Sequence, residues 1–304
     1  MSHLTEQELV ARKVTLSSLK TLKVQGTRIV MVTAYDYPTA RLADEAGVDL
    51  ILVGDSLANT ALGYDNTLPV TLDEMLVATR AVRRAVKRAM IVADLPFGTF
   101  QAGTDEAMRA ALRFVKEGGV EAVKVEGGRN RLSLVRQMVE NGIPVMGHIG
   151  LTPQSVLAMG GYKLQGKTLS AARAIIDDAR ALEQAGAFSL VLEVIPSPLA
   201  KLVTREIKIP TIGIGAGPGV DGQVLVMNDL LGLNFGHSAK FVRRYADLRS
   251  TMSEAINRYA EDVRNLRYPD VQESYDVSQE VAEQLERLEE QPDNDDTSYV
   301  LFSQ

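Results

Sequence analysis

The sequence predicts an α/β fold, a (β/α)8 TIM barrel followed by an acidic C-terminal extension. Three observations predict it. About eight short apolar runs are spaced by helical patterns across roughly 240 residues, the unit count of such a barrel. One phrase recurs, a helical pattern stopped by Gly and then an apolar run: LADEAG-VDLILVGD, RFVKEGG-VEAVKVEGG, RQMVENG-IPVMGHIG and ALEQAG-AFSLVLEV. Finally, four of the runs end on an acid: Asp55, Asp94, Glu126 and Glu193.

Taken in order, strands are expected at 29–34, 50–53, 90–93, 122–125, 144–147, 189–192 and 211–214, with the least patterned near 231–235. Each is short and β-branched or aliphatic, as a buried parallel strand should be. Helices are expected at 72–87, 105–116, 170–184 and 198–206, where apolar residues recur at helical spacing. The Gly stops are C′ residues, at which a helix ends and the chain turns into the next strand. A doubly wound open sheet is the alternative arrangement of the same units.

The barrel is expected to occupy residues 1–270 and the extension 271–304. The extension has ten Asp or Glu against one basic residue, Arg287. Of the net charge of −6 it carries −9, leaving about +3 on the rest. Val277, Val281, Leu285 and Leu288 mark one apolar stripe of a helix there, and the PDNDDTS stretch after it reads as disordered. A mildly basic body suits small anionic ligands. It has no basic stripe interleaved with aromatics, which argues against nucleic acid. There is no cysteine, so disulfides, thiolate metal sites and cysteine nucleophiles are excluded. The polar N-terminus lacks an apolar signal core, and no run approaches the roughly 18–20 residues of a membrane span. A cytoplasmic protein is expected.

The strand-end acids carry the chemistry. In a parallel α/β protein such ends share one face, where sites form. Ionised groups are costly to bury unpaired, so four carboxylates there point to a divalent cation held by some and proton transfer by another. Asp55 in VGDSL and Asp94 in VADLPF are the first candidates for the cation, although either alone could cap a helix. Lys124 and Glu126 stand two apart on one strand and so share a face. There the lysine can hold a substrate carboxylate and the glutamate can reach the metal, or the two can pair. Glu193 ends the most apolar run, a setting that suits a general base. His148, ending IPVMGH, is a candidate substrate contact; His237 in GHSAKF is a lesser one. The run IGIGAGPG lacks nucleotide-loop spacing and reads as a tight turn or a close approach to a flat ligand.

TAYDYPTA, VGDSLANTALGYDNTLPVT, VADLPFGT, VKVEGG, GHIGLTPQS, GGYKLQG, LVLEVIP and IGIGAG occur in this order. Over residues 15–265 the chain resembles the ketopantoate (3-methyl-2-oxobutanoate) hydroxymethyltransferase family. That resemblance implies a (β/α)8 barrel, a homo-oligomer such as a decamer, and a step of pantothenate synthesis. The step transfers a one-carbon unit from 5,10-methylenetetrahydrofolate to 3-methyl-2-oxobutanoate, giving 2-dehydropantoate. It further implies that Asp55 and Asp94 bind Mg2+ with Glu126 in its shell. Ser56 and Lys124, with the two aspartates, would contact the 2-oxo acid, and Glu193 would accept the proton. HSAKF departs from the family's His-x-Pro-Lys-Phe stretch. A Mg2+-dependent C–C lyase of the isocitrate lyase or phosphoenolpyruvate mutase type is the rival on the same barrel.

Overall fold

The computed structural model describes residues 12–236 and 238–289. His237 and the PDNDDTS stretch lie outside the described residues. The described chain divides into two compact units, one ending at Leu248 and one beginning at Arg249.

Among the described residues the first helix of the first unit is α1 (Leu16–Gln25), started by a capping box between Thr15 and Ser18. Strands and helices then alternate. They are β1 (Ile29–Thr33), α2 (Tyr37–Glu45), β2 (Leu50–Val53), the short α3 (Leu57–Thr60), α4 (Leu72–Ala85), β3 (Met90–Asp94) and α5 (Thr104–Arg113). A π turn (Phe114–Gly118) leads to β4 (Ala122–Glu126), α6 (Leu132–Glu140), β5 (Val145–Gly150), the short α7 (Val156–Met159) and α8 (Leu169–Gln184). The last elements are β6 (Ser189–Glu193), α9 (Ser197–Glu206), β7 (Thr211–Ile214), β8 (Gly222–Leu225) and the short α10 (Met227–Leu231). All eight strands pair in parallel and in chain order, and β8 closes on β1. The expected barrel is the observed one.

Side-chain alternation sorts the core into two layers. Met31, Leu50, Leu52, Met90, Val92, Ala122, Met146, Val191, Ile212 and Val224 fill the barrel. Val14 and Leu19 join them, so α1 plugs the N-terminal end. The intervening residues, Ile51, Val53, Ile91, Ala93, Val123 and Val125 among them, face the surrounding helices. The inward set continues at the C-terminal end as Thr33, Asp94, Lys124, Glu126, His148 and Glu193. One period-two pattern thus supplies an apolar plug below and a polar floor above.

Two differences from expectation have local causes. The eighth strand is Gly222–Leu225, not 231–235. The more apolar LLGLNF run instead ends α10, and Gly232 caps it in the left-handed region. The true strand was hidden because it is short and polar at Gln223, while Gly222 packs against β1, where a Cβ would lie 2.5 Å from the Ile29 carbonyl oxygen. The connection from β7 to β8 also carries no helix. Residues 215–221, GAGPGVD, make it as a tight glycine-rich link, so the first part of IGIGAGPG ends β7 and the rest forms the turn.

Asp44 on α2 anchors the entry to β3. Its carboxylate accepts from the backbone N–H groups of Lys87, Arg88 and Ala89 at 2.8, 3.1 and 2.7 Å. Burial pushes its pKa up, but these three donors outweigh burial and hold it below the ordinary value. Asp44→Ala is expected to cost about 2–4 kcal/mol at neutral pH by stranding them. A carboxyl with a depressed folded pKa stabilises above its unfolded value and loses that contribution as the pH falls through the folded one. The gap between wild type and variant in urea unfolding should therefore close below about pH 4. An undiminished gap at pH 3 would assign the loss to packing.

The second unit contains α11 from Arg249 to Arg264 (the helix begins at Leu248) and α12 (Gln279–Glu289). Val281 and Leu285, on the expected stripe of α12, are 41% and 52% exposed. No described helix is long and apolar enough to cross a membrane.

Candidate active site

Seven of the residues singled out from the sequence line one cavity of about 980 Å3 at the C-terminal mouth of the barrel: Asp55, Ser56, Asp94, Lys124, Glu126, His148 and Glu193. Asp94, Lys124, Glu126, His148 and Glu193 sit at inward strand positions. Asp55 and Ser56 lie just beyond β2, where the chain turns over the rim. Asp55, Asp94, Lys124, Glu126 and His148 are each at most 4% exposed.

The contacts are dense. The Asp55 backbone N–H donates to Asp94 Oδ2 at 3.0 Å. Lys124 Nζ stands 2.8 Å from Asp94 Oδ1 and 3.9 Å from Glu126 Oε1. His148 Nδ1 is 3.1 Å from Lys124 Nζ and 3.3 Å from Glu126 Oε1, and its Nε2 is 3.1 Å from Glu193 Oε2. Two glycines permit this crowding. A Cβ on Gly54 would lie 2.9 Å from Ser56 Oγ and 3.5 Å from Asp94 Oδ2, and one on Gly150 would lie 2.3 Å from the Glu193 carbonyl oxygen. Val194, next to Glu193, has φ 47°, a left-handed conformation that costs a β-branched residue about 1–3 kcal/mol. Its N–H donates to Ile214 O and its carbonyl accepts from Gln165 N, which holds the strained end of β6 in place.

The electrostatics follow from burial and proximity. Burial raises the Asp55 pKa far above that of a free carboxyl, and the charges of Asp94 and Glu126 add to it. Burial also raises that of Asp94, against the opposing pull of Lys124. For Glu126 the upward push of burial is overcome by His148 and Lys124, and the pKa falls. Burial lowers that of Lys124, but the surrounding carboxylates override it and hold the ammonium charged. Burial and Lys124 disfavour a charged His148, yet Glu126 and Glu193 raise its pKa to about 9. At neutral pH a protonated imidazole therefore lies between two acids.

Three buried carboxyl groups, those of Asp55, Asp94 and Glu126, crowd one ammonium and one imidazole on the floor. Asp94 Oδ1, Glu126 Oε1 and His148 Nε2 are buried without an aligned hydrogen bond, despite their short separations. Such a floor is expensive to maintain, at several kcal/mol per ion, and contributes little to stability. It suits a hard divalent cation. Among the described residues no three acidic or histidine side chains enclose an ion unaided. Mg2+ asks for less, typically one or two carboxylates with water and substrate completing the shell.

Two neighbours were not singled out from the sequence. Tyr35 hydrogen-bonds Ser56, hydroxyl to Oγ at 2.7 Å, and burial raises its pKa to about 12. Gln154, from the turn after β5, reaches Asp55 and Glu126. Both lie inside motifs already noted, TAYDYPTA and GHIGLTPQS, but nothing local distinguishes them from ordinary turn residues.

Residues 13–271 match the family model described as ketopantoate hydroxymethyltransferase. The chain belongs to the ketopantoate hydroxymethyltransferase family. It is 54% identical over 277 residues to the 3-methyl-2-oxobutanoate hydroxymethyltransferase of Koribacter versatilis (strain Ellin345), covering 91% of this chain and 94% of that one. The enzyme of the same name from Acidothermus cellulolyticus is 55% identical over 266 residues, covering 88% and 98%. The match to the family model runs through α11 to residue 271 and takes in every residue of the cavity floor. Among solved structures, a phosphonopyruvate hydrolase in complex with oxalate and Mg++ superposes with TM-score 0.56 at 13% identity, over 91% of this chain and 97% of that one. The phosphoenolpyruvate phosphomutase of Streptomyces platensis subsp. rosaceus gives 0.55 at 16%, over 90% and 97%. At such identities the likeness is one of fold.

Proposed function

We propose that this protein transfers a hydroxymethyl group from 5,10-methylenetetrahydrofolate to 3-methyl-2-oxobutanoate, giving 2-dehydropantoate on the way to pantothenate. The observation that carries this reading is the meeting of Asp55, Asp94, Lys124, Glu126, His148 and Glu193 on one floor, in a chain of this family. Asp55 and Asp94 would hold Mg2+, with Glu126 in its shell. When bound, the ion supplies Lewis-acid polarisation of the substrate's keto group.

The chain's own residues do the rest. Lys124 offsets the charge of the substrate carboxylate, and Ser56, its hydroxyl fixed by Tyr35, orients it. His148 completes the polar wall beside the bound acid. Glu193 takes the proton from C3, and the His148 ring beside it stabilises the carboxylate before that transfer. The C3–H electrons then form the new bond to the folate's methylene carbon. Both carbon–nitrogen bonds to that methylene break and water adds its oxygen there. Of the three hydrogens released, one from C3 and two from the water, two go to the folate nitrogens as tetrahydrofolate leaves and one stays on the new hydroxyl.

The protein acts on small molecules, in the cytoplasm and as a homo-oligomer. The oligomer has its support in the family and in apolar helix residues left exposed, such as Leu42, Val77 and Leu112. The deciding experiment is incubation with both substrates and Mg2+, with mass spectrometry for 2-dehydropantoate. Absence of that product from folded protein would end the reading. Every residue of the floor precedes Leu248, and we assign the chemistry to residues 1–270. Truncation after Pro269 is expected to leave turnover unchanged, whereas a folded but inactive truncation would give residues 270–304 a part in building the site.

A further inference from the structure

Gln154 is 4% exposed, and every polar group it offers to the site is engaged. It stands in the turn Pro153–Ser155 after β5 and crosses the mouth of the barrel. Its side-chain Nε2 donates to Asp55 Oδ2 at 2.9 Å and to the Leu95 carbonyl oxygen at 2.9 Å. Its Oε1 accepts from Gln101 Nε2 at 3.2 Å. Its backbone N–H donates to Glu126 Oε2 at 3.0 Å. The amide orientation is fixed by these partners. Turned over, it would set an oxygen against a carboxylate and a carbonyl at once.

One residue therefore ties together the ends of β2, β3 and β4. Asp55 lies beyond the ladder of β2, on a turn, so its side chain is not aimed by strand pairing. The Gln154 amide takes Oδ2, and Oδ1 has no hydrogen-bond partner among the described residues. A carboxyl group with one oxygen held by a fixed donor keeps a fixed direction for the other. The same turn fixes Oε2 of Glu126 and leaves its Oε1 unsatisfied.

We propose that Gln154 is a positioning residue that sets the cation-binding geometry of Asp55 and Glu126, with Gln101 steadying it from outside. This rests on the metal reading of the floor given above. Partners that orient metal-holding side chains are typically worth 10–100-fold in metal affinity. Gln101 touches neither carboxylate: its Nε2 donates to Gln154 Oε1, and its Oε1 accepts from the Gly98 backbone N–H at 2.8 Å.

The test is calorimetric titration of the full chain with Mn2+ alone, at a temperature where wild type and variants are folded by circular dichroism. Gln154→Met keeps the bulk and removes the amide. It is expected to bind Mn2+ about 10–100-fold more weakly than wild type. Gln101→Met, an exposed change that leaves the floor intact, is expected to weaken it about two- to tenfold. Folded Gln154→Met with wild-type affinity would overturn the proposal. Should that variant not fold, unchanged affinity in Gln101→Met would overturn it instead. A wild type that binds no Mn2+ would remove the metal reading itself, an outcome distinct from equal binding in wild type and variant.

Discussion

Asp55→Asn and Asp94→Asn are each expected to lower turnover by about a thousandfold or more. A cation polarising a keto oxygen is worth several kcal/mol, and each 1.36 kcal/mol is tenfold in rate. Asparagine keeps the shape of the site: at position 55 its Oδ1 can still accept from Gln154, and at position 94 from the Asp55 N–H. The loss should therefore reflect charge rather than collapse. Asp55→Asn should also raise the melting temperature of metal-free protein at neutral pH. The sign follows from the pKa. Burial, then Asp94 and Glu126, raise that of Asp55, so its ionisation costs folding free energy as the pH rises through the folded value. An amide has no such cost. A site kept at the expense of stability is the mark of function. If both variants turned over at wild-type rate, no cation held by these carboxylates could be part of the chemistry.

Glu193→Gln is expected to slow exchange of the substrate's C3 hydrogen with solvent by about 10²–10⁴-fold, the usual contribution of a positioned general base. Proton NMR of 3-methyl-2-oxobutanoate in D2O reads this step without the folate, so proton removal is separated from bond formation. Binding of the 2-oxo acid should survive, because Lys124, Ser56 and the aspartates are untouched. The geometry behind the assignment is specific. Glu193 is the half-buried acid of the cluster, on a strand end pinned by Val194 and Gly150, with its Oε2 3.1 Å from His148 Nε2. Exchange at the wild-type rate would move the base elsewhere, and His148 would be the first group to test.

The acids and the lysine were legible because their information is local. An apolar run with a two-residue period declares a buried strand, and an acid at its C-terminal end declares the rim. Lys124 and Glu126 share a face by that period alone, and Ala122, Lys124 and Glu126 do all point into the barrel. The helix stops were equally local: Gly47, Gly119, Gly142 and Gly186 take the left-handed conformation the recurring phrase requires. Position 231–235 failed for the same reason the others succeeded. It is more apolar than the true β8, and apolarity was the only local signal to weigh.

By itself, then, the sequence determined the barrel, its unit spacing and the acids on its rim, since strand periodicity and helix stops act over a few residues. Only the tertiary structure decided who holds those acids. Gln154 meets Asp55 across 99 positions of chain, and Tyr35 meets Ser56 from a different strand end. Closure of β8 onto β1 likewise joins segments almost 200 residues apart. Such contacts depend on the register of eight strands at once, and a glutamine in a turn has the same local sequence signature whether it faces water or a buried carboxylate.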